Sequence, residues 1–446
     1  MKYPVPENIR QFASVFRENG HRLYIVGGAV RDHLLCRKNS DYDFCTDAKP
    51  EEVISMFRRV IPTGIKHGTV TVLFKGDSFE VTTFRTEGAY SDQRHPDSVT
   101  FVTDLQEDLS RRDFTVNAFA ADCLDGSIID LFDGMKDLKA KTIRAIGNPR
   151  ERFEEDALRL MRLARFCSKL GFEPDPETED AAKQLSANIS IVSQERIYDE
   201  LSKILMTEKP TVGLRLLENI GVLEHILPEL TECRRIEQTK VGATDVLEHI
   251  YNTVDAAAHF NYSYNVRLAA LLHDIAKPQT MIINPYGIMR FFGHDIKSAQ
   301  MARVVLRRLK CSNQLTDTVC NLIENHMVKY RDNWTDGAVK RFIKRVGKEN
   351  INELFELQWC DQIASEGKSK VEEYDPFIRR IKELENQPMS VKDLAVSGDD
   401  LAKAGIPKSK VMGEILDDLL EMVIDYPTLN EKETLINQAI LLYKNK

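Results

Sequence analysis

Paired cysteines are missing from this 446-residue chain. Its eight cysteines (Cys36, Cys45, Cys123, Cys167, Cys233, Cys311, Cys320 and Cys360) are scattered and never spaced as Cys-x-x-Cys. That excludes a zinc ribbon and a disulfide scaffold and leads us to expect a reduced, cytoplasmic protein. Long apolar runs are missing too, and MKYPVPENIR lacks the basic-then-apolar order of a signal peptide, so no membrane partner is expected. Positive charge is not in excess: the net charge is −8, and any contact with nucleic acid has to use local basic patches. RVVLRRLK (303–310) and KRFIKRVGK (340–348) are the candidates, and each read alone is a solvated helix face. Internal repeats and low-complexity tracts are absent, and nothing marks an obligate protein partner.

What is present is the composition of a globular chain, 42% hydrophobic and 29% charged, long enough for two to four domains. Up to about residue 140, short β-rich runs (LYIVGG, TVTVLF, FEVTTF, SIIDLF) alternate with helical stretches. From Asn148 onward strand signals vanish. EDALRLMRLARFCSKL, ERIYDELSKILM and VGLRLLENIGVLEHIL carry the three-to-four-residue apolar period of amphipathic helices, with breaks at NPYG, ENQPMS and near Pro407. The expected fold class is an α+β head with a mixed sheet, followed by all-α segments.

One stretch of the head raises a chemical question. In IVGGAVRDHLLCRKNSDYDF (25–44), a double glycine follows an apolar run, and an Asp-Tyr-Asp triplet follows a dozen residues later. Read as a strand, SDYDFC puts Asp41 and Asp43 on one face. Like charges held that close repel unless a cation sits between them, and an oxygen-rich site of this kind suits Mg²⁺ with phosphate oxygens as further ligands. The Gly27-Gly28 turn leads from a strand into a helix and offers backbone N–H groups to a triphosphate.

The order of apolar residue, Gly-Gly, spacer and Asp-x-Asp resembles the DNA polymerase β-like nucleotidyltransferases. The longer GGAVRDHLL…DYDF is similar to their class II branch, the tRNA CCA-adding enzymes and bacterial poly(A) polymerases. RRDFTVNAFA (111–120) and EEDALRLMRLARF (154–166) resemble further motifs of that branch. The resemblance implies that Asp41 and Asp43 are catalytic and bind Mg²⁺, with Glu80 as a possible third carboxylate, and that CTP, ATP and tRNA (acceptor stem and elbow) are the partners. It implies nucleotide contacts by Gly28, Arg31, Arg111, Arg112, Asn117, Arg162 and Arg165, with Asp113 accepting from a ribose hydroxyl. Asp156 and Arg159 stand three apart in a helix pattern, on one face. An ionised Asp only accepts and an Arg only donates, which fits the amino group and bare ring nitrogen of cytosine and adenine and opposes uracil and guanine. The bland alternative for this pair is a surface salt bridge between them.

A basic tail for gripping arbitrary RNA is lacking, and RTEGAYSDQRHPDSVTF (85–101) resembles a full-length flexible loop, so CCA addition is expected over poly(A) synthesis. Addition of the terminal A alone stays open. The expected division is a head over 1–142, a neck over 143–235, a body over 236–366 and a tRNA-binding tail over 367–446.

RLAALLHDIAKP (267–278) resembles the HD phosphohydrolase signature, within the body. His249, His273, Asp274 and Asp361 follow that family's order, and His294 and His326 fall where its two-metal members place extra ligands. Such a donor set suits Ni²⁺, Mn²⁺, Fe²⁺ or Zn²⁺. A rival reading follows, an HD phosphohydrolase whose head merely recruits RNA.

Overall fold

Alternation along two neighbouring strands decides which side of the first sheet carries chemistry. Their inward residues are Phe44, Phe79 and Val81, and Asp43 and Glu80 take the alternate positions. The computed structural model describes residues 2–38, 41–87, 99–240, 242–286, 289–331, 333–368 and 374–446. It divides into two units, Met1–Thr231 with Arg308–Lys310, and Glu232–Arg307 with Cys311–Lys446.

The first unit opens with α1 (Glu7–Glu18), β1 (Leu23–Val26), α2 (Gly28–Leu34), β2 (Asp43–Thr46), α3 (Pro50–Met56), β3 (Val60–Gly64), β4 (Thr69–Phe74) and β5 (Asp77–Thr83). A short pair, β6 (Arg85–Glu87) and β7 (Val99–Phe101), leads to α4 (Leu105–Ser110), β8 (Phe119–Asp122), β9 (Ile128–Asp130) and α5 (Gly134–Ala140). The sheet order is β3-β4-β5-β2-β1-β8-β9, antiparallel throughout except that β2 runs parallel to β5. On one face α1 buries Ile9, Phe12, Ala13 and Phe16, and the Phe12 ring stacks on Phe79 at 4.6 Å between centroids. On the other, Tyr24, Val26 and Cys45 pack with Leu105 and Leu109 of α4. Residues 88–98, most of the expected flexible loop, lie outside the described residues.

Helices complete this unit: α6 (Pro149–Glu155), α7 (Leu158–Leu170), α8 (Pro176–Gln184), α9 (Gln194–Leu205) and α10 (Pro210–Asn219). Glycine at Gly213 is required where α10 crosses α7, because a Cβ there would meet the Ala164 carbonyl at 3.0 Å and Ile204 at 2.9 Å.

The second unit is built on α11 (Val246–His259), α12 (Tyr264–Leu272), α13 (His294–Arg308), α14 (Asn313–Asn325), α15 (Asp336–Val346) and α16 (Ile351–Glu366). Its last helices, including Lys410–Asp425 and Lys432–Asn445, close over Leu401, Ile415, Leu419, Val423 and Leu435.

Strand structure does not end at Asn148 as expected. Thr142–Ile143 pairs in parallel with Glu173–Pro174, and two hairpins form in the second unit, Glu237–Lys240 with Ala243–Asp245 and Met281–Ile283 with Met289–Phe291. The strands of the last are MII and MRF, on either side of the NPYG break in the sequence, runs too short to register as strands by periodicity. All eight cysteines are unpaired thiols. Among the described residues no helix is long and apolar enough to cross a membrane.

Candidate active site

A cavity of about 660 Å³ in the first unit is lined by all of the head and neck residues singled out above: Gly28, Arg31, Asp41, Asp43, Glu80, Arg111, Arg112, Asp113, Asn117, Asp156, Arg159, Arg162 and Arg165. Asp41 is not in a strand, contrary to the expectation, since β2 begins only at Asp43. The two carboxylates still share the cavity. Asp43 is in register with Val26 on one side and Glu80 on the other, so Glu80 stands beside it on the same face. Burial, then the charge of Asp41, pushes the Asp43 carboxyl above its ordinary value, with Arg112 working against them. That excess of negative charge is what a divalent cation relieves.

Gly27 has φ 70° and ψ −127°, a conformation that disfavours any side chain, and a Cβ would stand 3.2 Å from Arg112 Nη1. The double glycine thus lets an arginine approach the turn as well as the chain reverse. Arg112 and Arg111 are both held from below by Asp108, which the sequence reading missed. This fully buried carboxylate accepts from Arg111 Nε and Nη2 at 3.1 and 3.0 Å and from Arg112 Nη2 at 3.4 Å. Its spacing of three and four residues from the two arginines was the available signal.

Asp113 does not match the expected ribose acceptor. Its Oδ2 receives Arg162 Nε at 2.7 Å and Nη2 at 2.5 Å, and its Oδ1 receives the Phe114 N–H at 2.8 Å and Asn117 Nδ2 at 3.0 Å. Four donors fill the lone pairs of both oxygens, leaving none for a hydroxyl. Burial alone would raise this carboxyl, but the Arg162 charge and these bonds outweigh it and hold it below its ordinary value. Asn117 is likewise engaged at both ends, its Oδ1 accepting from the buried Arg31 at 2.5 Å. Asp113 and Asn117 therefore orient Arg162 and Arg31.

The neck departs from a continuous helix. α6 stops at Glu155, Asp156 is extended (φ −144°, ψ 102°), and α7 starts at Leu158. Asp156 itself explains the break, because its Oδ1 accepts from the Leu158 N–H at 3.0 Å and starts the new helix. Its Oδ2 accepts from Arg196 of α9 at 2.8 Å. Arg159 donates to Glu155 Oε2 at 2.6 Å and to the carbonyls of Arg152 and Arg111 at 2.9 and 3.0 Å. Among the described residues no side-chain ion pair joins Asp156 to Arg159, so each is positioned separately. Beyond them the Phe166 ring is faced by the guanidinium groups of Arg31, Arg162 and Arg165 at 5.5, 5.5 and 4.4 Å. Arg165 is paired with the buried Glu200 at 2.7 Å. Burial lowers Lys169 from its ordinary value, helped by the Arg31 charge. Arg196, Glu200, Phe166 and Lys169 also went unmarked in the sequence, being brought to the site by folding alone.

The second unit brings together His249, His273, Asp274, His294, His326 and Asp361. Asp274 Oδ2 lies 3.3 Å from His249 Nε2 and 3.2 Å from His273 Nε2, and Asp274 Oδ1 lies 3.3 Å from His294 Nε2 and 4.0 Å from His326 Nε2. Asp361 Oδ1 approaches His249 Nε2 at 3.0 Å. The Nδ1 atoms of His273, His294 and His326 lie 2.8, 2.7 and 2.6 Å from the carbonyls of Ala270, Phe291 and Ile323, three residues back in each case. Carbonyls only accept, so each Nδ1 carries a proton, and that bond turns each Nε2 towards the centre. His273 Nε2 and both Asp274 oxygens are buried without a hydrogen bond of good geometry. Burial would raise Asp274, but the His273 and Lys277 charges hold it well below the carboxylate range, and burial pushes His326 down to about 4. Against burial, Asp274 and Asp361 raise His249 in turn, so a metal at the centre would have to displace its proton to take neutral imidazoles and ionised carboxylates as ligands.

The chain is similar to known proteins along its length. Residues 23–144 match the family described as the poly A polymerase head domain, and residues 291–439 match a tRNA nucleotidyltransferase domain 2 family. The CCA-adding enzyme of Levilactobacillus brevis is 34% identical over 96% of both chains. That of Enterococcus faecalis is 33% identical over 98% of this chain and 96% of its own. The crystal structure of the Bacillus stearothermophilus CCA-adding enzyme in complex with CTP superposes with a TM-score of 0.75 at 29% identity, covering 99% of this chain and 98% of that one.

Proposed function

The chain belongs to the CCA-adding enzymes, and from that premise we propose that its first unit builds or repairs the 3′-terminal CCA of tRNA from CTP and ATP, without a nucleic-acid template. One observation carries the assignment to residues: Asp41, Asp43 and Glu80 line one cavity together with Arg31, Arg111, Arg112, Arg159, Arg162 and Arg165. Asp41 and Asp43, with Glu80 as the third carboxylate, are the residues that would hold Mg²⁺. When bound, it lowers the pKa of the RNA 3′-hydroxyl and neutralises charge on the leaving pyrophosphate. The 3′-hydroxyl gives up its proton to solvent as its oxygen attacks the α-phosphorus in line, the bond from that phosphorus to the oxygen bridging to the β-phosphate breaks, and pyrophosphate departs with that electron pair. Arg111 and Arg112, aimed by Asp108, offer forked donors to the phosphate oxygens. Arg162, aimed by Asp113, and Arg165 extend that cradle. Asp156 and Arg159 select the base, accepting from its amino group and donating to its ring nitrogen.

In this division of labour the head (1–142) does the chemistry, the neck (143–235) chooses the base, and the tail (367–446) holds the tRNA elbow, in the cytoplasm. Incubating tRNAs that end before, within and at CCA with each labelled nucleotide tests the reading. C, C and A should enter in order and then stop. Incorporation of A alone would mark an A-adding enzyme, and unlimited A a poly(A) polymerase.

The six-residue cluster of the second unit supports a second centre, which we propose binds a divalent transition metal (Ni²⁺, Mn²⁺, Fe²⁺ or Zn²⁺) and hydrolyses phosphate esters. Its imidazole-rich donors, unlike the all-oxygen set of the head, favour such ions. The rival in which the head only recruits RNA is disfavoured by the complete set of carboxylates and arginines in the first cavity.

A further inference from the structure

Along α7 the residues that line the first cavity recur at helical spacing: Arg159, Arg162, Arg165, Phe166 and Lys169. Each of the three arginines has a carboxylate of its own. Arg159 donates to Glu155 at 2.6 Å, Arg162 donates to Asp113 at 2.7 Å, and Arg165 Nε lies 2.7 Å from Glu200. Lys169 breaks that rule. Among the described residues no carboxylate lies within ion-pair distance of its ammonium. The charges that bear on it are the guanidinium groups of Arg31, Arg165 and Arg37, against Asp32 alone. Asp32 is itself taken up by Arg31, whose Nη2 lies 2.7 Å away. On a chain of net charge −8, this end of the cavity holds cation in excess.

The backbone of Lys169 is also held in place. Arg37 donates to the carbonyls of Lys169 and Leu170 at 3.0 and 3.4 Å, which ties the end of α7 to the chain just beyond α2. From Arg159 to Lys169 the helix rises about 15 Å. A nucleotide whose base meets Arg159, and whose α-phosphate stands at Asp41 and Asp43, has only its β- and γ-phosphates left to place. In-line attack puts those two on the side of the α-phosphorus opposite the RNA 3′-oxygen, away from the polymer. The terminal phosphate is also the most highly charged of the three. An unpaired ammonium is its complement.

We infer that Lys169 binds the terminal phosphate of the incoming CTP or ATP, and so makes the site prefer a nucleoside triphosphate to a diphosphate. The inference deepens the CTP- and ATP-directed reading above and rests on it. The terminal phosphate is bound alike before and during attack, so Lys169 acts on KM rather than on kcat. Bases are read at the other end of α7, so CTP and ATP are served equally.

Full-length Lys169→Gln and Lys169→Arg are compared with the parent by equilibrium binding of CTP, CDP and CMP and by steady-state addition to tRNA lacking CCA. Lys169 is an exposed residue, so the packed side of α7 is left intact. Lys169→Gln should bind CTP about tenfold more weakly, the scale of one charge-assisted hydrogen bond, and should bind CMP as the parent does. The preference for CTP over CDP should shrink by the same factor. KM for CTP and for ATP should rise together, and so should the inhibition constant of pyrophosphate. The value of kcat, KM for tRNA and the choice of C and A over U and G should hold. Arginine should restore most of the lost affinity. Equal CTP affinity in the parent and Lys169→Gln overturns the inference. So does an equal loss for CTP and CMP, which would mark a merely structural role. A higher KM for tRNA with CTP binding unchanged also overturns it, by making Lys169 an RNA contact. A parent that binds CTP through Lys169 but incorporates no nucleotide sinks the functional reading alone.

Discussion

Asp43 and Glu80 are register partners across the one parallel strand pair of the main sheet, with their side chains on the same face. Replacing Asp43 by Asn removes a metal-facing charge and also relieves repulsion from Asp41. Nucleotide addition should fall by at least about 10³-fold, the scale of the several kcal/mol a bridging metal supplies. The melting temperature should stay level or rise slightly. Glu80→Gln should lose less and should shift the Mg²⁺ dependence to higher concentration. Near-parental rates for Asp43→Asn would remove the metal assignment.

The Asp113–Arg162 pair ties stability to pH. Asp113 is held below its ordinary value in the folded chain. Its contribution is therefore complete above the unfolded carboxyl value near pH 4 and is lost as pH falls through the lower folded value. Urea unfolding at neutral pH should show Asp113→Asn less stable by about 2 kcal/mol, a charged hydrogen bond lost and a buried acceptor exchanged. Below pH 4 the gap between parent and variant should close. A gap that stays constant down to acid pH would show that Asp113 does not carry the charge in this network.

How much of this could be read in advance varies with the range of the interaction. The glycine turn and the strands LYIV, TVTVLF and FEVTT are local patterns and form at their places, whereas Asp41 reaches the cavity from ahead of the strand that carries Asp43. Asp156 misled because its neighbours on both sides are strong helix formers, and a helix period says nothing about one residue that spends its side chain on capping the next helix. Asp113 misled for the opposite reason. A carboxylate in a phosphate-binding motif reads as a ligand until Arg162, 49 residues away, is seen to fill it. Arg196 and Glu200 carry no local pattern at all, and only the packing of α9 on α7 puts Arg196 at the cavity and Glu200 against Arg165. The HD-like cluster was legible because its residue types are scarce: the whole chain has ten histidines, and four of them converge.

Base choice should fail in two distinguishable ways. Asp156→Ala removes the acceptor for the amino group, and sites built on such bonds can discriminate by roughly 10⁴. Incorporation of U and G relative to C and A should rise sharply, with a loss of rate. Arg196→Ala keeps the carboxylate and frees its Oδ2, so selectivity should soften while the amino acceptor remains. Competition assays with mixed nucleoside triphosphates read both. Full selectivity in Asp156→Ala would place base choice elsewhere in the chain.

The cluster around Asp274 allows a test that does not depend on any activity. Protein prepared without chelator should carry a divalent transition metal near one equivalent, measured by elemental analysis. Removing it should lower the melting temperature, because a ligand that binds only the folded chain stabilises it, by about 2.7 kcal/mol at a hundred times its dissociation constant. Restoring Ni²⁺ or Mn²⁺ should reverse the shift. His294→Ala removes one imidazole from the less buried edge of the cluster and should weaken the metal, whereas His273→Ala with Asp274→Ala should abolish it. The double variant also strips Lys277 of its partner at 2.5 Å, so His294→Ala is the control that keeps the fold. CCA addition should survive in both, since its own carboxylates belong to the first unit. Phosphate-ester hydrolysis with Ni²⁺ or Mn²⁺ should be confined to the metal-binding forms. A parent that takes up no transition metal and shows no thermal shift would reduce the cluster to a buried ion-pair network, with His249 held between Asp274 and Asp361.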